Sequence, residues 1–197
     1  TLDRLIKHSA LFARERVTKF LKRGGPDAVL AEIDKLGDSS YTHRIYYTEL
    51  ARQAELSESL LTRILQRVPA EMSSDYDKAT LFTMIARLPA VTESHRVQVA
   101  RAVKSISSDY DQRRTLAAAM DVRPLPAGVG AAVLDATGSV SSNYDRSLVL
   151  TEVAERGGLT EATTPAFMSL VRSMSSSYDQ RRVLTAVSKQ DALPEAV

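Results

Sequence analysis

The chain contains no cysteine and no tryptophan. Without cysteine there is no disulfide, no thiolate metal site and no cysteine nucleophile. With aromatics at only 6% of residues, a large aromatic-lined ligand pocket is not expected. No apolar run approaches the ~20 residues needed to cross a bilayer. Only His8, His43 and His95 carry imidazoles, and none belongs to a His-Glu-x-x-His pair, so no metal site is expected. There is no Gly-x-Ser-x-Gly elbow and no Gly-Lys-Ser/Thr phosphate loop. Gly128-Val129-Gly130 lacks the third glycine of a dinucleotide fingerprint, and no strand is expected before it. These absences leave no catalytic residue and no cofactor to expect in this segment.

What is present suits a folded core: 197 residues, 44% of them hydrophobic and 25% charged, with a net charge of +2. Five of the seven tyrosines recur almost periodically. Tyr41, Tyr76, Tyr110, Tyr144 and Tyr178 are separated by 35, 34, 34 and 34 residues. Each follows a pair of serines, most completely in Ser73-Ser74-Asp75-Tyr76-Asp77 and Ser107-Ser108-Asp109-Tyr110-Asp111. Self-similarity at such a period marks an array of stacked supersecondary units.

Counting from each tyrosine, the fifth, sixth and ninth positions are apolar or small: Leu81, Phe82 and Ile85 in one unit, Val149, Leu150 and Val153 in another. Steps of three and four predict an amphipathic helix. The preceding serine is the expected N-cap, and the acid three positions later the expected reciprocal partner of a capping box. A breaker follows (Pro89, Pro124 and Pro126, or Gly157-Gly158), then a second start signal in Ser57-Glu58, Thr92-Glu93 and Thr160-Glu161. Each unit is therefore expected to be an antiparallel helix pair that buries its stripes only by stacking on neighbours. The expected fold is all-α: an α-solenoid of about five and a half repeats forming one domain over residues 1–197. Its repeats start near residues 39, 74, 108, 142 and 176.

Residues 1–37 form a divergent first repeat, with helical spacing from Leu2 through Leu21, a break at Gly24-Gly25 and a second helix from Pro26. The first 25 residues carry a net charge of +5, leaving −3 for the rest. A solvated outer face of a capping helix is the expected reading; a membrane-surface or anion-binding helix is the alternative. The chain begins with threonine and reaches only one helix into its last unit, which suggests a fragment of a longer protein. In the Tyr110 unit, Gly128 and Gly130 lie either in a loop before a shortened helix or where small side chains admit a close neighbour.

The repeated tyrosines are expected as a structural signature, each ring anchored on the preceding helix pair; a ladder lining a binding surface is the alternative. A column of small residues (Thr48, Thr83, Ala117, Thr151, Thr185) suggests close helix contact. The basic residues after each tyrosine are expected to pair with Asp77, Asp111, Asp145 or Asp179. The expected partner surface comprises Arg44, Glu49, Lys78, Arg113, Arg146, Glu152 and Arg181.

The 34-residue helix pair resembles tetratricopeptide-type and HEAT-like solenoids, although the Trp-x-x-Leu-Gly opening and late proline of the former are absent. By that resemblance the superhelix would be right-handed. The phrase Asp109-Tyr110-Asp111-Gln112-Arg113-Arg114-Thr115-Leu116, repeated at Asp179-Gln180-Arg181-Arg182-Val183-Leu184, is similar to repeats of bacterial envelope proteins. Some of those are attached to antirepressor-type membrane metallopeptidases. The resemblance spans residues 12–197 and carries no peptidase motif. It implies a bacterial sensing or interaction module, in the envelope or the cytoplasm, with a protein or peptide partner. Two alternatives stand beside it: a solenoid binding nucleic-acid phosphates through the basic column, and an accessory region of an enzyme whose site lies elsewhere.

Overall fold

A computed structural model describes residues 9–190, and among them the fold is all-α, with no strand. Its helices are α1 (Ala13–Ile33), α2 (Ser40–Gln53), α3 (Glu58–Glu71), α4 (Asp75–Ala86), α5 (Glu93–Ala102), α6 (Asp109–Ala119), α7 (Ala127–Thr137), α8 (Asn143–Glu155), α9 (Thr164–Ser173) and α10 (Ser177–Val187). A 3₁₀ turn, Val103–Ser105, extends α5.

The helices alternate between two rows. The tyrosine-bearing helices α2, α4, α6, α8 and α10 each pack on the next of their kind, and so do α3, α5, α7 and α9. α1 packs on α2. The sixth position after the tyrosine lies at the centre of this packing: Tyr47, Phe82, Leu116 and Leu150 are all buried. Near α1, the buried Tyr47 hydroxyl donates to Glu71 Oε2 at 2.5 Å, and Arg67 pairs with both Glu71 and Asp34. Burial, and then the Glu71 carboxylate, push the Tyr47 phenol far above its ordinary value.

The serine caps form as expected. Ser39, Ser74, Ser108, Ser142 and Ser176 each accept the backbone N–H three residues on. The second half of the expected capping box does not form in these helices. From Ser73-Ser74 onward the N–H groups of the Ser-Ser pair are instead held from the previous unit, by the residue just before its tyrosine, both groups in three pairs and Ser175 in the last. Ser40 Oγ accepts from Ser73 and Ser74 N–H at 2.9 and 3.0 Å, and Asp75 Oδ2 from Ser107 and Ser108 N–H at 2.9 Å each. Asp109 takes Ser141 and Ser142 at 2.8 and 3.0 Å, and Asn143 Oδ1 takes Ser175 at 3.2 Å. The capping acids are engaged by arginines instead. α5 does carry a full box, closed by His95 Nδ1 accepting from Thr92 N–H.

Two local expectations change, and one pair of alternatives is decided. Regular helix does not continue from residue 9 into α1, because Ala10 and Phe12 adopt left-handed φ values of 55° and 58°. Leu2, Leu5, Ile6, His8 and the first three leading charges, Asp3, Arg4 and Lys7, lie outside the described residues. The Gly24-Gly25 break is present, with Gly25 at φ 65°. The last second helix begins at Thr164, not after Thr160. Pro165 has no N–H to give and fits only a first turn, so the chain closes a Thr160–Thr163 turn before the helix starts. In α7 both glycines are helical, and a Cβ on Gly128 would stand 2.7 Å from Glu93 Oε1 of α5. Both glycines therefore lie in a helix and not in a loop, and Gly130 has only ordinary contacts, with Leu125 at 3.7 Å and the Gly158 carbonyl at 3.8 Å.

Candidate functional site: a tyrosine–arginine ridge

The five repeated tyrosines are not buried anchors. Tyr41, Tyr76, Tyr110, Tyr144 and Tyr178 are 51–63% exposed, each at the start of its helix. The position preceding the first full helical turn faces outward, whereas the apolar positions five, six and nine face the neighbouring helices. An exposed ring attracts a cation to its face, and every one of these rings has a guanidinium beside it. Arg44 lies 5.3 Å from the Tyr41 centroid and Arg113 5.1 Å from Tyr110. Arg114 reaches back one unit to Tyr76 at 5.1 Å, and Arg182 to Tyr144 at 5.0 Å. Tyr178 has Arg181 at 5.8 Å and Arg182 at 5.2 Å.

Most of these cations are held in turn by an aspartate, in an alternating arrangement. Where the third position after the tyrosine is arginine, it pairs forward with the next unit's acid. Arg44 Nε meets Asp77 Oδ1 at 2.6 Å and Arg113 Nε meets Asp145 Oδ1 at 2.7 Å. Where that position is Ala79 or Ser147, the following unit supplies the cation from its fourth position. Arg114 Nε then binds Asp111 Oδ1 at 2.6 Å, and Arg182 Nη1 lies 3.5 Å from Asp179 Oδ1. Each contact between successive tyrosine-bearing helices therefore holds one aspartate paired with one arginine. Tyr–Arg contacts are worth about 0.5–1 kcal/mol each at exposed sites.

The seven residues expected on a partner surface separate into three groups. Arg44, Arg113 and Arg181 lie with the tyrosines. Lys78 does not: it is buried, and its Nζ donates to the Ser105 carbonyl at 2.7 Å, so it is not a contact residue. Arg146 is similarly occupied, with Nε and Nη2 on the Val140 carbonyl at 3.0 and 2.5 Å. Gln112 and Gln180 do the same on Ile106 and Met174, so this second-position column fastens tyrosine-bearing helices to the ends of the second helices. Glu49 and Glu152 hold local arginines, Arg52 at 3.0 Å and Arg156 at 2.8 Å. Of the small-residue column, Thr48, Thr83, Ala117 and Thr151 are half-buried and Thr185 is exposed.

Shallow grooves run between neighbouring tyrosine-bearing helices. One of about 310 Å³ lies between α2 and α4, with Arg44, Thr48 and Met84 in its walls. Another of about 350 Å³ between α8 and α10 is lined by Glu155, Tyr178, Arg181, Arg182 and Lys189. His43 is buried with both ring nitrogens unpartnered, and His95 is occupied by its cap and by the Glu58 carbonyl at 2.9 Å. Among the described residues no group of three or more His, Cys, Asp or Glu is placed to hold a metal ion, and no helix is long and apolar enough to cross a membrane.

The residues that sequence reasoning missed are the acceptors before each tyrosine. Their signal was there: Ser40, Asp75, Asp109, Asn143 and Ser177 all carry a side-chain oxygen at one register position. Set against known proteins, the chain matches no family model, no curated protein and no solved structure.

Proposed function

We propose that this chain is a non-catalytic protein-interaction scaffold, an α-solenoid whose tyrosine–arginine ridge contacts a protein or peptide partner. The observation that carries this reading is the row of five tyrosines, all more than half exposed and all flanked by guanidinium. Tyrosine and arginine are the residues enriched where interfaces concentrate their binding energy. A ring held under an arginine, itself held by an aspartate, has already lost much of its rotamer freedom, so less entropy remains to be lost on binding. The resemblance to repeats of bacterial envelope proteins agrees with an interaction or sensing role.

A phosphate-binding stripe is less well supported. Arg44, Arg113, Arg114 and Arg182 are each engaged by a carboxylate, which cancels the field a polyanion would follow. The test is affinity capture from the source cell with the chain and with a Tyr76→Ala/Tyr110→Ala/Tyr144→Ala variant of unchanged circular dichroism. A protein retained by the first and lost with the second supports the ridge. Equal retention by both, or no specific protein with either, refutes it.

A further inference from the structure

Among the described residues the alternation of charge pairs along the ridge ends at α10. In the preceding tyrosine-bearing helices the sixth position after the tyrosine is 0–1% exposed, whereas Leu184, at that position in α10, is 43% exposed. Arg181 occupies the forward-pairing position of Arg44 and Arg113, yet among the described residues it meets no carboxylate and touches only the Tyr178 ring. Ser177 occupies the position of Asp75, Asp109 and Asn143, and its hydroxyl receives no backbone N–H from a following Ser-Ser pair among the described residues. An apolar side chain, a cation and a hydrogen-bond acceptor are thus displayed in the register that joins the other units.

We propose that this face of α10 is a docking surface for a further helix pair of the same kind, and that the chemistry of its occupant is set. The Tyr178 unit repeats the Arg-Arg of the Tyr110 unit, Arg181-Arg182 matching Arg113-Arg114. The Tyr110 unit is followed by one whose phrase is Ser141-Ser142-Asn143-Tyr144-Asp145, with Leu148 at its fourth position. The occupant of α10 accordingly carries an aspartate directly after its tyrosine to meet Arg181. It carries an uncharged fourth residue, because a second arginine there would face Arg181 across the same contact. Its Ser-Ser N–H groups bond to Ser177, and its apolar stripe covers Leu184. A second copy of this chain does not meet these requirements. Its leading tyrosine, Tyr41, is followed by Thr42, and its entry face is already covered by α1.

The test is a tandem duplication of residues 120–187 in the full chain, which places a copy of the Tyr144 unit after α10 in unbroken register. Amide exchange in the original α10 slows by roughly 3–10-fold relative to the undisturbed chain, the effect of covering the exposed part of Leu184. Arg181→Asp in the duplicated chain reverses that protection, and Asp→Arg at the copied position of Asp145 restores it. Unchanged α10 exchange on duplication overturns the proposal, as does indifference to the charge swap. A concentration-dependent dimer of the unduplicated chain abolished by Leu184→Asp would name a second copy as the occupant and would also overturn it. All these readouts are independent of any ridge partner, so failure here leaves the scaffold reading standing and the reverse also holds.

Discussion

Removing the carboxylate of Asp109 tests the inter-unit latch. Its two oxygens accept from Ser141 and Ser142 N–H at 2.8 and 3.0 Å and from the Ser141 hydroxyl. A hydrogen bond to a charged acceptor contributes about 1.5–3 kcal/mol. Ser141 is exposed and its amide regains water when the acceptor is lost, so the half-buried Ser142 bond sets most of the cost. Asp109 also lies in the first turn of α6, where an acid adds roughly 0.3–1 kcal/mol. Against this, alanine has the better helix propensity by up to ~0.7 kcal/mol. The balance for Asp109→Ala is a loss of about 2 kcal/mol.

Stacked units need not unfold in one step, so the decisive assay is local: amide exchange at Ser141 and Ser142 rises by roughly 30-fold, with denaturant unfolding measured alongside. Asp109→Asn keeps an oxygen in the place Asn143 uses one unit later and recovers part of the protection. A parallel pair separates the latch from an intra-helical capping box. Asp75→Ala speeds exchange at Ser108, whereas Asp111→Ala leaves that amide unchanged. If Asp111→Ala exposes Ser108 instead, or if Asp109→Ala stays within about 0.5 kcal/mol of the parent, the latch is refuted.

The two packed glycines should respond with opposite signs. Gly158→Ala drives a Cβ to 2.8–2.9 Å from Val153 and Leu125 and costs about 1–3 kcal/mol. Gly128→Ala meets only the tip of the exposed Glu93 side chain, which swings aside, and stabilises by up to ~1 kcal/mol in thermal unfolding. Lys78→Ala removes the ammonium that donates to the Ser105 carbonyl and is expected to lower stability by about 1–3 kcal/mol in thermal unfolding. Burial raises the phenols of Tyr46 and Tyr47 above 10.0. The unfolded chain then releases those protons first, so the stability they contribute is complete below pH 10 and declines as pH rises past it. Urea titrations at increasing alkalinity should show that decline reduced in Tyr47→Phe.

The sequence by itself determined what is local. A helix start is stabilised by a side-chain oxygen within three residues of a free N–H, so Ser39, Ser74, Ser108, Ser142 and Ser176 were readable as caps. A buried stripe needs apolar residues every three or four positions, so Phe82 and Leu150 were readable as core. The period itself required the units to lean on one another. Even the Arg–Asp pairing was legible as a pattern of opposite charges.

Tertiary structure decided which unit each side chain serves. Asp77 and Asp111 stand at capping-box spacing, but the stacking of α2 on α4 brings Arg44 to Asp77, Arg114 of its own helix turns to Asp111, and the stacking brings Ser40 and Asp75 to the N–H groups the two acids would have held. Tyr41 and Lys78 exchanged their expected places for the same reason. Whether a residue at the start of a helix is covered depends on where the neighbouring row ends, and that distance is not a property of the residue's own segment. The five tyrosines, which the absence of tryptophan and the scarcity of other aromatics made conspicuous, are therefore periodic because the units repeat, and they stand more than half exposed at their helix starts.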